Sequence, residues 1–366
     1  MFNEWQQNQP VHMMCADKWH ETADTVSIKL NVPSQPVSYA FKPGQFVSLG
    51  VEINGKTEYR AYSLSSVPDD DSLQLTIKRV DGGVVSNHIL DNLNIGDRVS
   101  VLKPVGEFNC VDFPPKANID EPPKVLLISA GCGITPVYSM AKYWLQHQHH
   151  SQQGVDIEFL HVAKDTAHTI YFDQLEKLHA NHETFSLKLL LKNAGDTLHP
   201  QGRLSQAWLT TLVPDLHSRS VYLCGPVAFM ADVRSYLEAE HVDMTHFHEE
   251  SFIPSLHKPM PNHAPENVSE EAIRDLAGSG VRVHIPAFGQ TVEAQLGATL
   301  ADVLEDAGLP IIVACRSGIC GSCKCKVTSG NTQSTSFETL SAEDIEQGYV
   351  LACSSVIQSN VDIHLG

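Results

Sequence analysis

Four cysteines towards the C-terminus carry the clearest chemistry in this chain: Cys315, Cys320, Cys323 and, thirty residues later, Cys353. A C-x4-C-x2-C run followed by a distant cysteine is a ligand set for a [2Fe–2S] cluster. Each iron needs two thiolates, so three ligands come from one tight loop and the fourth arrives from a later strand, Gly348 to Cys353. Gly318 and Gly321 let that loop turn sharply and bring backbone N–H groups towards sulfur. A structural zinc ion draws on two closely spaced cysteine pairs, which this spacing does not offer. Cys325 makes a C-x-C with Cys323 and could compete as a ligand. Two places along an expected strand, it should share a side with Cys323 without reaching iron.

Two further stretches suit a nucleotide. Gly131-Cys132-Gly133-Ile134-Thr135-Pro136 follows the apolar run Lys124 to Ile128. Gly131 and Gly133 let backbone approach a phosphate, Thr135 is expected as a helix N-cap, and Pro136 suits a first helical turn. Cys224-Gly225-Pro226 ends another apolar stretch, Ser220 to Leu223. Arg60-Ala61-Tyr62-Ser63 closes an expected strand, after Pro43-Gly44-Gln45-Phe46 and before Lys78-Arg79-Val80 and Gly82 to Ser86. The cluster His147-Gln148-His149-His150 reads as the solvated end of a helix, since no Cys, Asp or Glu beside it completes a metal site.

Together these pieces resemble the ferredoxin–NADP reductase superfamily joined to a plant-type ferredoxin. The resemblance implies that Arg60 pairs with a flavin phosphate, that Tyr62 lies against the isoalloxazine and that Ser63 sits near its N5. Lys78 and Val80 fall in the same flavin-binding surface. Gly83, Val84, Val85 and Ser86 open a short helix whose free N–H groups face a pyrophosphate, which favours FAD over FMN. In the superfamily the glycine–threonine–proline turn and the Cys-Gly-Pro motif serve NAD(P)H. Cys224, Gly225 and Pro226 therefore lie beside the nicotinamide, with Cys224 positioning rather than attacking. Glu250, before Ser251-Phe252, resembles the acidic residue that ends this domain in ferredoxin-bearing relatives, with Glu249 as its rival. The set Ser63, Cys224 and Glu250 is the expected catalytic group. Ala163-Lys164-Asp165-Thr166 offers one cation and a carboxylate where a 2′-phosphate would need a firmer grip, so NADH is expected over NADPH.

Three kinds of element must hold these residues. Residues 12–115 show short alternating strands with Pro-Gly, Asn-Gly and Gly-Gly turns, as in an antiparallel β-barrel that binds FAD. Residues 123–252 alternate apolar strands with helices, as in an α/β parallel-sheet NAD(P)-binding domain. Residues 253–278 are rich in proline and then acidic, the composition of a linker. Residues 280–366 read as hairpin, helix and cluster loop, resembling the β-grasp of ferredoxin.

Composition narrows the remaining classes. The chain has 366 residues, 42% hydrophobic, with a net charge of −18. That charge disfavours nucleic acid and suits docking onto a basic patch of a protein partner. No apolar run is long enough for a membrane span and no signal peptide is visible. With nine cysteines, five of them at or after Cys315, a cytoplasmic redox protein is expected. Hydride brings two electrons and the cluster takes one, so the flavin between them must discharge twice. The domain order, with Gly106-Glu107-Phe108-Asn109-Cys110 and the motifs above, is similar to the hybrid-cluster protein reductases. This implies electron flow from NADH through FAD and [2Fe–2S] to the hybrid-cluster protein of nitric oxide and hydroxylamine metabolism. A reductase component of a Rieske-type oxygenase or demethylase is the alternative enzyme, and a redox sensor without turnover is the alternative of another class.

Overall fold

A computed structural model describes residues 5, 9–32, 39–117, 121–147, 154–252 and 280–365. The expected linker lies outside the described residues. The chain forms two compact units, 1–252 and 253–366.

The first half of the N-terminal unit is one six-stranded antiparallel sheet: β1 (Val11–Thr22), β2 (Thr25–Asn31), β3 (Phe46–Ile53), β4 (Lys56–Ser63), β5 (Leu73–Lys78) and β6 (Arg98–Val101), in the order β4-β3-β6-β1-β2-β5. The chain beyond β4 closes it into a barrel: Leu64 bridges Leu75, and Ser65 N donates to Gln74 O at 2.9 Å. Closure removes the sheet edges. Inward residues such as Ile28, Leu49, Leu75 and Val101 fill the centre. Strand β1 is not visible in the sequence pattern, because bulges at Cys15/Asp17 and His20/Thr22 break its alternation. Helix α1 (Val84–Asp91) lies between β5 and β6.

The second half holds a parallel sheet of β7 (Lys124–Ala130), β8 (Asp156–Ala163), β9 (Phe185–Leu191), β10 (Ser220–Cys224) and β11 (Phe247–Glu250), in the order β11-β10-β7-β8-β9. Helices α2 (Ile134–Gln146), α3 (Phe172–Asn181), α4 (Gln206–Leu212) and α5 (Val227–Ala239) connect the strands. Val125, Leu127 and Phe159 pack on one side with α2, and Leu126, Ile128 and Leu160 on the other with α5. A sheet buried on both faces explains the unbroken apolar runs.

The C-terminal unit has β12 (Gly280–Ile285), β13 (Gln290–Gln295), β14 (Lys324–Ser329), β15 (Thr332–Ser334), β16 (Tyr349–Leu351), β17 (Ser355–Ile357) and β18 (Val361–Leu365), with α6 (Leu300–Asp306) and α7 (Ala342–Glu346). The larger sheet runs β13-β12-β18-β14-β16. Leu300, Ala301 and Leu304 of α6 bury themselves against it, the β-grasp expected from the sequence.

Candidate active site

On β4, alternation puts Arg60 and Tyr62 on one face and Ser63 on the other. Burial pushes the Tyr62 phenol up, while the nearby Arg60 guanidinium pulls the other way. Arg60 Nη1 donates to Tyr59 O at 2.6 Å and lies 3.9 Å from Glu58, leaving most of its donors uncommitted. The Ser63 hydroxyl is buried and has no hydrogen-bond partner among the described residues. A buried hydroxyl without a partner is costly, so it fits a group that brings its own hydrogen-bonding atom, as a flavin ring would. The other pieces of the resemblance gather here too. Gln45 O accepts from Leu64 N at 2.9 Å, and Gln45 Nε2 donates to Gly106 O at 3.2 Å.

Helix α1 begins at Gly83, where no side chain caps it. Ser86 Oγ turns back to accept from Val80 N at 3.3 Å. A Cβ on Gly83 would stand 2.6 Å from that oxygen, so any larger residue would displace Ser86 Oγ. Val80 and Val84 are both more than half exposed, at 58% and 56%. Lys78 pairs with Asp24 at 3.4 Å. The far end of α1 is fastened by Lys18 of β1, whose Nζ donates to Ile89 O, Leu90 O and Leu93 O at 2.8, 2.9 and 2.7 Å. A cation on the last carbonyls complements the helix dipole. Arg79 clamps Asp91 on the same helix. The Lys18 contact is not visible in the sequence, because Lys18 is some seventy residues from the carbonyls it holds.

The turn after β7 corrects one expectation. Residues Gly131–Gly133 form a 3-10 turn and α2 starts at Ile134, so Thr135 is not the N-cap. The early turn puts Thr135 inside the helix, where its Oγ1 donates to Cys132 O at 3.0 Å. Pro136 remains in the first turn. Gly131 has φ +55° and open space around it, so it is glycine for backbone reasons. Gly133 is glycine for space: a Cβ there would overlap the Cys224 carbonyl and stand 2.6 Å from Gly225 N. The phosphate-type turn and the Cys-Gly-Pro motif are thus in contact, with Pro226 leading into α5.

Across this sheet, register aligns Glu250 with Cys224, Cys224 with Ser129, and Ser129 with His161. Burial holds the Cys224 thiol well above its ordinary range, and the Glu250 carboxylate adds to the effect. Glu249 instead pairs with Arg234 at 2.5 Å, so of the two acids Glu250 is the one beside Cys224. Ser129 Oγ lies 2.8 Å from His161 Nδ1, and burial pushes His161 down to about 3. Asp165, after β8, accepts from His168 N at 3.0 Å and lies 2.6 Å from His168 Nδ1. Nothing in the sequence signals a cavity of about 200 Å³ lined by Val162, Leu204, Phe229 and Tyr236, where Arg203 pairs with Asp232 at 3.7 Å. It opens at the C-terminal end of β8, the side on which parallel sheets bind nucleotides.

In the C-terminal unit the thiols of Cys315, Cys320, Cys323 and Cys353 perturb one another. Hydrogen bonding to Cys320 pulls Cys315 down, and hydrogen bonding to Cys353 does the same for Cys323; both partners are pushed up. Backbone donors surround the sulfurs. Ser317 N and Ile319 N donate to Cys315, Gly318 N to Cys353 and Cys353 N to Cys323, at 3.2 to 3.4 Å. Donors aimed at sulfur are what an anionic iron–sulfur group requires, so this donor set fits the cluster. Gly318 and Gly321 have φ of +74° and +73°. Arg316, at φ +55°, ties the loop to α6 through Asp302 at 2.8 Å and Glu305 at 2.5 Å. Cys325 is fully buried among apolar residues, which pushes its thiol up to about 12. All nine cysteines are free of disulfides.

Comparison with known proteins agrees with this geometry. Residues 13–110 match an oxidoreductase FAD-binding domain, 127–235 an oxidoreductase NAD-binding domain, and 283–358 a 2Fe-2S iron-sulfur cluster binding domain. The glycine betaine monooxygenase reductase subunit of Pseudomonas aeruginosa is 35% identical over 90% of this chain and 88% of its own. The stachydrine N-demethylase reductase subunit Stc4 of Rhizobium meliloti is 32% identical over 96% and 95%. The NADH oxidoreductase HCR of Escherichia coli is 31% identical over 86% of each chain. The chain is therefore an oxidoreductase of the ferredoxin reductase family, one of its members that join FAD-binding, NAD-binding and [2Fe–2S] domains in a single polypeptide.

Proposed function

We propose that this protein is the reductase component of an oxygenase or demethylase of Rieske type, taking electrons from NADH and delivering them singly to that partner. The observation that carries this is the likeness, along nearly the whole chain, to reductase subunits of a monooxygenase and an N-demethylase. Delivery to the hybrid-cluster protein, the reading the sequence motifs favoured, is the second candidate. It has the 31% identity to the Escherichia coli oxidoreductase in its support. A sensor without turnover does not accord with membership of an oxidoreductase family.

When bound, the flavin and the cluster supply the redox chemistry, and the protein supplies placement. Ser63 offers its unpartnered hydroxyl to the flavin ring, and Arg60 offers its guanidinium to phosphate. The α1 start, kept open by Gly83 and fastened behind by Lys18, receives the pyrophosphate of FAD. Gly133 and Cys224, packed together, would receive the nicotinamide, with Glu250 beside Cys224. Cys315, Cys320, Cys323 and Cys353 hold the irons. No helix among the described residues is long and apolar enough to cross a membrane. Nine unpaired cysteines suit the reducing cytoplasm.

Purified partners decide between the two acceptors. With NADH present, rapid reduction of a Rieske oxygenase component and slow reduction of purified hybrid-cluster protein is the expected result. The reverse order would overturn the assignment.

A further inference from the structure

Tyr171 stands at φ +61°, in the left-handed region, directly before α3. A bulky aromatic residue persists there only when its surroundings hold it. Its ring is fully buried and stacked on Tyr138 of α2, with centroids 4.4 Å apart. Its hydroxyl reaches across to the barrel, where it bonds the Thr76 hydroxyl of β5 and lies against that of Ser65. Thr76 Oγ1 is 2.6 Å from Ser27 Oγ of β2, and Ser27 donates to Glu21 Oε1 of β1 at 2.6 Å. Trp19 Nε1 donates to the same carboxylate oxygen at 2.7 Å.

Each hydroxyl has a single proton to give, which fixes the directions. Ser27 spends its proton on Glu21, so Thr76 donates to Ser27 and Tyr171 donates to Thr76. The result is a one-way chain of donors from the nicotinamide-binding half, through the barrel wall, to a carboxylate at its rim. Beside it, Ser139 Oγ of α2 donates to Ser66 O at 2.6 Å. Ser65 and Ser66 follow Ser63 and Leu64 in the chain. Two hydroxyls of one half therefore grip the stretch of the other half that carries the unpartnered serine.

We propose that Tyr171 is a positioning residue for hydride transfer, its hydroxyl holding the nicotinamide-binding half at one fixed setting on the flavin barrel. Tyr171 itself exchanges neither proton nor electron. The proposal rests on reading Ser63 and Cys224 as flavin and nicotinamide positions, and is independent of which acceptor the protein serves. Strain at Tyr171 is then the consequence of reaching Thr76 while stacking on Tyr138.

The test uses the full-length holoprotein and Tyr171→Phe, which removes one oxygen and keeps the stacking ring. In stopped flow, the limiting rate of flavin bleaching by NADH should fall about ten-fold, since small misplacements of reactants are costly. Half-saturating NADH should stay within about two-fold, as expected when binding is untouched and alignment is lost. Without NADH, amide exchange at residues 63–66 should quicken. Thr76→Val should reproduce the fall, and the double variant should be no slower than either single one. An unchanged limiting rate in the single variants, whatever their melting temperatures, overturns the proposal, and so does an additive loss in the double variant. If Tyr171→Phe does not fold, Thr76→Val decides alone. Wild-type protein that neither keeps flavin nor bleaches with NADH would bring down the underlying reading, and the proposal with it.

Discussion

In the C-terminal unit, three of the four thiols proposed to hold the cluster sit on one loop, Cys315 to Cys323, and glycines within that loop supply its bends. In the N-terminal unit nothing is so local. Gly133 meets the Cys224 carbonyl, Lys18 reaches the end of α1, and Tyr171 reaches Thr76, each across a long stretch of sequence. A cluster needs specific ligand atoms, so residue type and spacing record it. A flavin–nicotinamide meeting place needs surfaces at a set distance, and surfaces are recorded only in contacts. The first kind of site should fail all at once when one residue changes, and the second by degrees.

The sharpest break comes at Cys320. Replacing it with serine removes a proposed iron ligand, and delivery to the protein acceptor should drop by about 100-fold or more. Flavin bleaching by NADH should remain near normal. Equal loss of both activities would mean that the two units are not separable in this way. Gly133→Ala is next. Its methyl group has no room beside Cys224 and Gly225, so kcat/KM for NADH should fall roughly 100-fold through misplacement, with flavin content unchanged. Steady-state kinetics on flavin-replete protein measures it.

Lys18→Met should act more gently. It leaves the carbonyls of Ile89, Leu90 and Leu93, at and just past the end of α1, without their cation and should weaken FAD retention about ten-fold, some 1.4 kcal/mol. Flavin fluorescence on dilution reports the change, and Lys18→Arg should restore much of it.

The last expectation concerns stability and its pH dependence, and touches neither cofactor. His161 is buried beside Ser129 and held down to about 3. In the unfolded chain it titrates near 6.5, so the unfolded state binds the extra proton first. Stability contributed by neutral His161 is full above that pH and declines as pH falls towards about 3. The decline approaches ~1.4 kcal/mol per pH unit. Denaturant midpoints at pH 7 and pH 5 should therefore differ less in His161→Gln than in the wild type.

The same contrast explains what was legible in the sequence. The [2Fe–2S] domain, both glycine turns and the strands β2, β3 and β7 were readable, because each is a local pattern of residue type. Strand β1 was hidden by its bulges. Thr135 was misplaced because a 3-10 turn leads straight into the helix, which starts two residues early. Which of Glu249 and Glu250 stands beside Cys224 emerges only from the register of β11 on β10. The acceptor was not legible at all: the motifs that hold cofactors are shared by reductases serving different partners.

An anaerobic titration with NADH, followed by absorbance and electron paramagnetic resonance, measures the pairing of flavin and cluster in one chain most directly. Two electrons for the flavin and one for the cluster should require about 1.5 NADH per chain, with a reduced iron–sulfur signal of about one spin. Bleaching that stops at about one NADH, with no such signal and no iron or sulfide in oxygen-protected protein, would contradict it.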